Sequence, residues 1–305
     1  MKQLTLIATG CAVVVAVAFG QGLGEGQKRE DFDAQDGLPA KPHWARGRAG
    51  SNAKVNKSSP NLTYHGGPIL TETTTQAIFW GVKWSDPNFV QDKISGLESF
   101  YADVIGSSYA DTNSEYTQAD GQHVTSAMTH LPPLMDLTAT PSRTPRTSQV
   151  LGAVCRNVAK PVENGFYAVY IDKGRGTAGY CAWHSYGSCG GDGPTFQFAF
   201  FFNLDGDPGC SVGAAVGSHQ QGVAALVNVT GHELSEAMTD PHLNAWYDSR
   251  GEENSDKCAW TFSGTLLLAS GWKIQGNWSN AAYDGNTGYA DPASGITVRG
   301  CIDGH

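Results

Sequence analysis

Apolar residues recur at three- and four-residue spacing through GVAALVNVTGHELSEAMTDPH, residues 222–242, at Val223, Leu226, Val227, Leu234, Ala237 and Met238. That period keeps one apolar stripe on a helix, and it predicts about four to five turns. Asp240-Pro241 ends the pattern, because the residue before a proline is pushed out of the helical region. Elsewhere the pattern shortens. Residues 75–84 (TQAIFWGVKW), 166–171 (FYAVYI) and 196–202 (FQFAFFF) are rich in aromatic and β-branched residues and read as strands, the last deeply buried. Residues 89–105 carry Val90, Ile94, Leu97, Phe100, Tyr101 and Val104 at helical spacing. Residues 138–148, rich in Ser, Thr and Pro, read as an exposed loop, and 265–269 and 297–302 as edge elements. Helices and strands mixed without regular strand–helix–strand alternation predict an α+β fold, a single large domain with a mixed sheet and residues 222–242 as its central helix.

That helix carries a histidine and two acids where apolar residues are expected. His232 and Glu236 are four apart and share a face, while Glu233 points about 100° away around the axis. This is the layout of a zincin-like helix. In the HExxH form two histidines bind zinc and the intervening glutamate activates a metal-bound water. Here Glu236 takes the place of the second histidine. A carboxylate oxygen can ligate zinc, although each added anionic ligand weakens the ion's Lewis acidity. HExxE alone also occurs as a solvated acidic helix face, so the weight rests on what accompanies it.

Composition points outward from the cell. Charged residues make up 16% of the 305 residues, below the roughly 25% of average domains, and 38 glycines suit a loop-rich chain. Lys2 precedes an apolar run over residues 4–19 that ends in small residues, which reads as a signal peptide cleaved after Ala18 or Gly20. Residues 1–20 contain one lysine and no acid, so the expected mature charge is 19 − 29 = −10, with no electrostatic footprint for nucleic acid. Losing Cys11 leaves Cys155, Cys181, Cys189, Cys210, Cys258 and Cys301, an even set that implies up to three disulfides of undecided pairing. Residues 21–60 lack apolar periodicity and read as a flexible leader or short pro-segment. The ordered domain is then residues 61–305.

Five blocks stand in a set order: YHGGPIL (64–70), GYCAWHSYG (179–187), GHELSEAMTDP (231–241), NAWY (244–247) and ENSDKC (253–258). Together they resemble the phosphate-induced protein 1, or Exordium-like, family of extracellular proteins, over residues 61–301. The resemblance implies a secreted, wall-associated protein linked to growth control and carries no settled biochemical activity. The family pattern, H-E-L-A-E on the helix and E-I-G-D-x-C after it, places His232, Glu233, Glu236, Glu253, Asp256 and Cys258 on its positions. Glu253, seventeen residues beyond Glu236, can return to the helix as a third ligand, with Asp256 orienting His232 or ligating directly. Glu252 and His242 are the alternatives. His184, in the CAWHSYG block, reads equally as a cleft or a structural histidine.

Two function classes follow. One is a secreted metal-dependent hydrolase of peptide bonds, with Zn2+ held by His232, Glu236, Glu253 and Asp256 and Glu233 as general base. The other is a non-catalytic extracellular protein with a structural ion, Ca2+ or none, that recognises wall polymer or a receptor through aromatics such as Trp246, Tyr247, Trp272 and Trp278. Neither class involves nucleic acid, nor a membrane once the signal is cleaved; the oligomeric state is open.

Overall fold

The computed structural model of the chain describes residues 38–47, 60–213, 219–264, 268–293 and 295–304. Its strands, in chain order, are β1 (Lys41–Trp44), β2 (Thr63–Tyr64), β3 (Thr73–Trp80), β4 (Met128–Asp136), β5 (Gly165–Gly174), β6 (Tyr180–Gly187), β7 (Phe196–Asn203), β8 (Trp246–Tyr247), β9 (Asn277–Trp278), β10 (Gly288–Asp291), β11 (Ile296–Arg299) and β12 (Cys301–Ile302). The helices are α1 (Pro87–Val90), α2 (Lys93–Val104), α3 (Ser108–Asp111), α4 (Thr147–Asn157), α5 (Gln221–Thr239) and α6 (Asn280–Asp284). Six strands form one mixed sheet in the order β1-β6-β7-β5-β3-β4. In it β4, β3, β5 and β7 run parallel, β6 runs antiparallel to β7, and β1 runs antiparallel to β6. The α+β expectation with a mixed sheet therefore holds.

The central strands β5 and β7 are buried along almost their whole length, which is why they read as continuous apolar runs. The stretch 75–84 is a strand only as far as Trp80. At Gly81, φ is 136°, and a Cβ there would meet the Asp172 carboxyl at 2.2 Å, so the chain turns into a 3-10 segment, Val82–Ser85. The helix expected over 89–105 is two helices, parted at Gln91, where φ is 47°. Strand β4 escapes the pattern because Pro132 and Pro133 lie inside it; it forms the sheet edge, where missing donors are tolerated.

One stretch of the expected leader is built into the fold. Residues 41–44, KPHW, pair with β6 in the register Lys41↔His184, Pro42↔Trp183, His43↔Ala182. Four residues are too short to show a period, and a proline among them hid the strand. Residues 1–37 and 48–59, including the expected signal peptide, lie outside the described residues. So does most of the expected edge element 265–269. Three disulfides, Cys155–Cys189, Cys181–Cys210 and Cys258–Cys301, join the cysteines of the described residues. No helix among the described residues is long and apolar enough to cross a membrane.

Helix α5 lies against β6 and β7 and packs on α2. All its residues but Gln221 are buried. Its Val, Leu and Met side chains each contribute roughly 1.5–3 kcal/mol by leaving water. Gly231 is a packing requirement: a Cβ there would meet Ile274 at 2.9 Å. The helix stops at Asp240, whose Oδ1 accepts the main-chain N–H groups of Asn244 (2.5 Å) and Ala245 (2.6 Å). That clamp turns the chain back so that the segment holding Glu253 and Asp256 runs beside the helix.

Candidate metal centre

Three elements converge at the C-terminal half of α5. The helix supplies His232, Glu233 and Glu236; β6 supplies His184; the returning segment supplies Glu253 and Asp256. Strand β1 adds Lys41 and His43, which share a face with His184 because direct cross-strand partners in an antiparallel pair point the same way. His232 Nε2 lies 3.0 Å from Glu236 Oε1 and 3.7 Å from Asp256 Oδ1. His184 Nε2 lies 3.4 Å from Glu253 Oε2 and 3.8 Å from Glu236 Oε2. The rings of His43 and His232 are 3.6 Å apart, and His43 stacks on Trp260 at 4.6 Å. Ligand atoms of His43, His232 and Asp256 lie within 4.8 Å of one another, as do those of His184, Glu233 and Glu236, and those of Glu236, Glu253 and Asp256.

All four sequence-predicted ligands, and the predicted base Glu233, therefore fall in one cluster. His242 does not join it; it is half-buried, and its ring lies tilted against Tyr186 with centroids 5.0 Å apart. Glu252 lies outside the three ligand groups, its carboxyl pushed up to about 8 by burial and then by Asp256. Sequence reasoning missed His43 and Lys41 as part of the site, and the strand pairing that delivers them carries no local signal. Trp272 and Trp278, read as exposed aromatics, are buried in the core, while Trp246 and Tyr247 keep partial exposure.

The cluster is nearly sealed from water. His43, His184, His232, Glu233, Glu236 and Glu253 are essentially fully buried, whereas the Asp256 and Lys41 side chains keep 14% and 26% exposure and mark the open side. Inside it, both ring nitrogens of His43, Nε2 of His184 and His232, and both carboxyl oxygens of Glu233 and Glu253 make no hydrogen bond. The His43 main-chain N–H faces the Glu233 carboxyl without reaching hydrogen-bond geometry. Unpartnered buried polar atoms are rare and costly, at about 1–3 kcal/mol each and more for charged groups. Here they converge on one place.

Burial dominates the protonation states. It holds His43, His184 and His232 below the usual histidine range and pushes Glu233, Glu253 and Asp256 well above the usual carboxyl range. Glu236 rises to about 7 through burial, against the pull of His184 and Lys41. Asp240 rises to about 7 through burial and the charge of Glu253. Burial opposes the Lys41 ammonium, but Glu253, Asp256, Glu236 and Asp240 outweigh it and raise its pKa. Lys41 Nζ donates to the Gly251 carbonyl at 2.5 Å and stands 3.9 Å from Glu253.

Gln275 sets the orientation of His232. Its amide nitrogen donates to the Ser255 carbonyl (2.9 Å) and faces His232 Nδ1 at 2.8 Å, while its oxygen accepts from the Trp260 main-chain N–H at 3.3 Å. Held this way, neutral His232 carries its proton on Nε2, toward Glu236. Ligation through Nε2 needs that proton on Nδ1 and the Gln275 oxygen turned to receive it. Asp207, in the NLDGD turn, is forked by Arg175 (2.8 and 2.9 Å) and accepts from the Gly209 N–H, which makes it a structural turn.

No family model, no curated protein and no solved structure matches the chain.

Proposed function

We propose that this cluster binds a divalent metal and that the protein is an exported, zincin-like, metal-dependent hydrolase acting on peptide bonds. The observation that carries this is the convergence of unpartnered, buried histidine and carboxylate atoms on one point. Histidine nitrogens beside carboxylates suit zinc or a neighbouring transition metal better than calcium, which prefers an all-oxygen set. When bound, the ion supplies Lewis-acid polarisation of a carbonyl and a water acidified toward neutral pH. His232, Glu236, Glu253 and Asp256 are its holders, and His184 and His43 lie within reach. Glu233, with both oxygens free of donors and its carboxyl biased toward protonation, is the group that takes and returns a proton.

A peptide substrate is favoured by β1. It is an extended segment pairing antiparallel with β6, with Lys41 and His43 reaching the cluster, and so an instance within the chain of how an extended peptide is held there by strand addition. The Exordium-like motif order and three disulfides support export within the same proposal. The near-closure of the site with β1 in place favours one second reading, a non-catalytic extracellular protein with a structural ion. Hydrolysis of a quenched-fluorescent peptide library decides between them, measured on zinc-loaded protein before and after proteolytic release of the segment that carries β1. Cleavage that appears on release, disappears with chelator and is absent in Glu233→Gln supports the hydrolase. Stoichiometric zinc with no cleavage in either form supports the structural reading.

A further inference from the structure

We infer that the place Lys41 fills beside this cluster is a subsite for a basic side chain, and that the peptides the site takes carry a lysine in that register on β6. This rests on the strand-addition reading above and names its substrate class. The main chain of the β1 segment is held by contacts that any extended peptide can make. The Trp260 indole N–H donates to the Trp44 carbonyl at 2.8 Å, the Ser185 hydroxyl to the Pro39 carbonyl at 2.5 Å, and the Ala45 N–H to the Gly179 carbonyl at 3.0 Å. Such contacts hold a strand without reading its sequence. Side chains alternate along a strand, so selection falls to the two on the cluster's face, Lys41 and His43.

The surroundings of Lys41 suit an ammonium. Its Nζ donates to the Gly251 carbonyl at 2.5 Å, lies 5.7 Å from the centre of the Tyr247 ring and stands 3.9 Å from Glu253 Oε2. Carbonyl oxygen, aromatic face and carboxylate each favour an ammonium over an uncharged side chain of the same length. Glu253 is fully buried and neither of its oxygens accepts a hydrogen bond, so its charge depends on a cation close by. The charges of Asp256, Glu236 and Asp240 also act on Lys41. One divalent ion does not exhaust this set: four carboxylates, when ionised, exceed its two charges and keep the place attractive to a cation.

Position matters as much as charge. Lys41 lies opposite His184, and the His43 ring, two residues on, is 3.6 Å from the His232 ring and 4.6 Å from the Trp260 ring. A shift of one residue would turn Pro42 and Trp44 toward the cluster and Lys41 away from it. Lysine is therefore read at one position of the added strand, not anywhere in the peptide.

The test uses the whole purified chain carrying Lys41→Ala, which removes the anchor of β1 and empties the subsite, with fluorescent peptides of the sequence of residues 38–45, LPAKPHWA. Anisotropy is measured on chelator-stripped protein at pH 8, so that neither zinc nor cleavage enters the result. The parent peptide should bind at least roughly tenfold more tightly than its norleucine analogue, the usual worth of a hydrogen bond to a charged group. It should hold the same advantage over a peptide in which the lysine and the following proline are exchanged. Lys41→Met, which keeps an apolar stem, repeats the measurement should Lys41→Ala fold poorly. Equal affinities of the three peptides, or no binding by any of them, would overturn the subsite. Zinc-dependent hydrolysis with no preference for lysine would also overturn it and leave the hydrolase standing. Lysine selectivity in a protein that never cleaves would keep the subsite and remove the hydrolase.

Discussion

His130 and His232 are both buried or nearly so, and both lie beside a glutamate, yet their surroundings differ in kind. His130 uses both ring nitrogens: Nδ1 bonds Thr75 Oγ1 at 2.8 Å, and Nε2 faces both Glu98 oxygens at 3.2 Å. Its ring stacks on Tyr101 at 4.4 Å. Glu98 keeps 29% exposure, so water shares its charge. His232 has one nitrogen engaged by Gln275 and the other within 3.0 Å of Glu236 but out of hydrogen-bond alignment, beside a Glu236 that water does not reach and an Asp256 that keeps 14% exposure. A histidine–carboxylate pair by itself is therefore no sign of a ligand site. Unfinished bonding in a sealed place is, since folding tolerates that cost only where something else recovers it.

The sharpest difference is chemical. Glu233→Gln keeps shape and metal content and should lower peptide hydrolysis by roughly 10²- to 10⁴-fold, the usual worth of a positioned base. Glu98→Gln at the satisfied pair should leave the rate unchanged. Steady-state kinetics with metal counts on both variants check this.

Stability comes next. At zinc a thousandfold above its dissociation constant, wild-type protein should gain about 4 kcal/mol, or roughly 10 °C in melting temperature. His232→Ala should abolish that gain and His130→Ala should keep it. Scanning calorimetry with and without zinc gives both numbers. An equal zinc response in the two variants would erase the distinction drawn between the two histidines.

The pH dependence of the metal-free protein is a smaller effect. Glu236 and Asp240 titrate near 7 in the fold and near their ordinary carboxyl values when unfolded, so the folded state binds more protons in between. Stability must then fall as pH rises through the folded values. The depressed histidines act with opposite sign, but only below their unfolded pKa of about 6.5. From pH 6.5 to 8 the carboxyls act alone, and the two near 7 should cost roughly 1–2 kcal/mol. Zinc should reverse the trend, because its ligands must lose their protons. Chemical denaturation across that pH range, with and without zinc, reports both slopes.

Gln275→Glu is the mildest change. A carboxylate there accepts the Nδ1 proton of a metal-bound His232, which the amide nitrogen cannot do, and should tighten zinc about tenfold. Competition against a fluorescent chelator measures it.

Much of this was legible in the sequence, and the failures have physical causes. Helix α5, with its stop at Asp240, and strands β5 and β7 follow from periodicity and apolar run length. His232, Glu233 and Glu236 follow from helical spacing, and Glu253 and Asp256 from the ordered motifs. What stayed hidden depends on pairing between distant segments. His43 reaches the site through a four-residue strand 139 residues before its partner Ala182, a separation no local pattern encodes (182 − 43 = 139). The Gln275 contact depends on a loop that returns to the helix 43 residues later. Glu233 and Glu236, three apart, are helical neighbours, and it is His184 on β6, within 4.8 Å of both, that local spacing could not place.

The most direct test of the metal centre is anomalous diffraction from zinc-soaked crystals, recorded on either side of the zinc absorption edge. The account predicts difference density bonded to His232 Nε2 and Glu236, with the Gln275 amide turned to accept from Nδ1. Zinc density confined to surface histidines, with His232 still bonded as it is now, would contradict it.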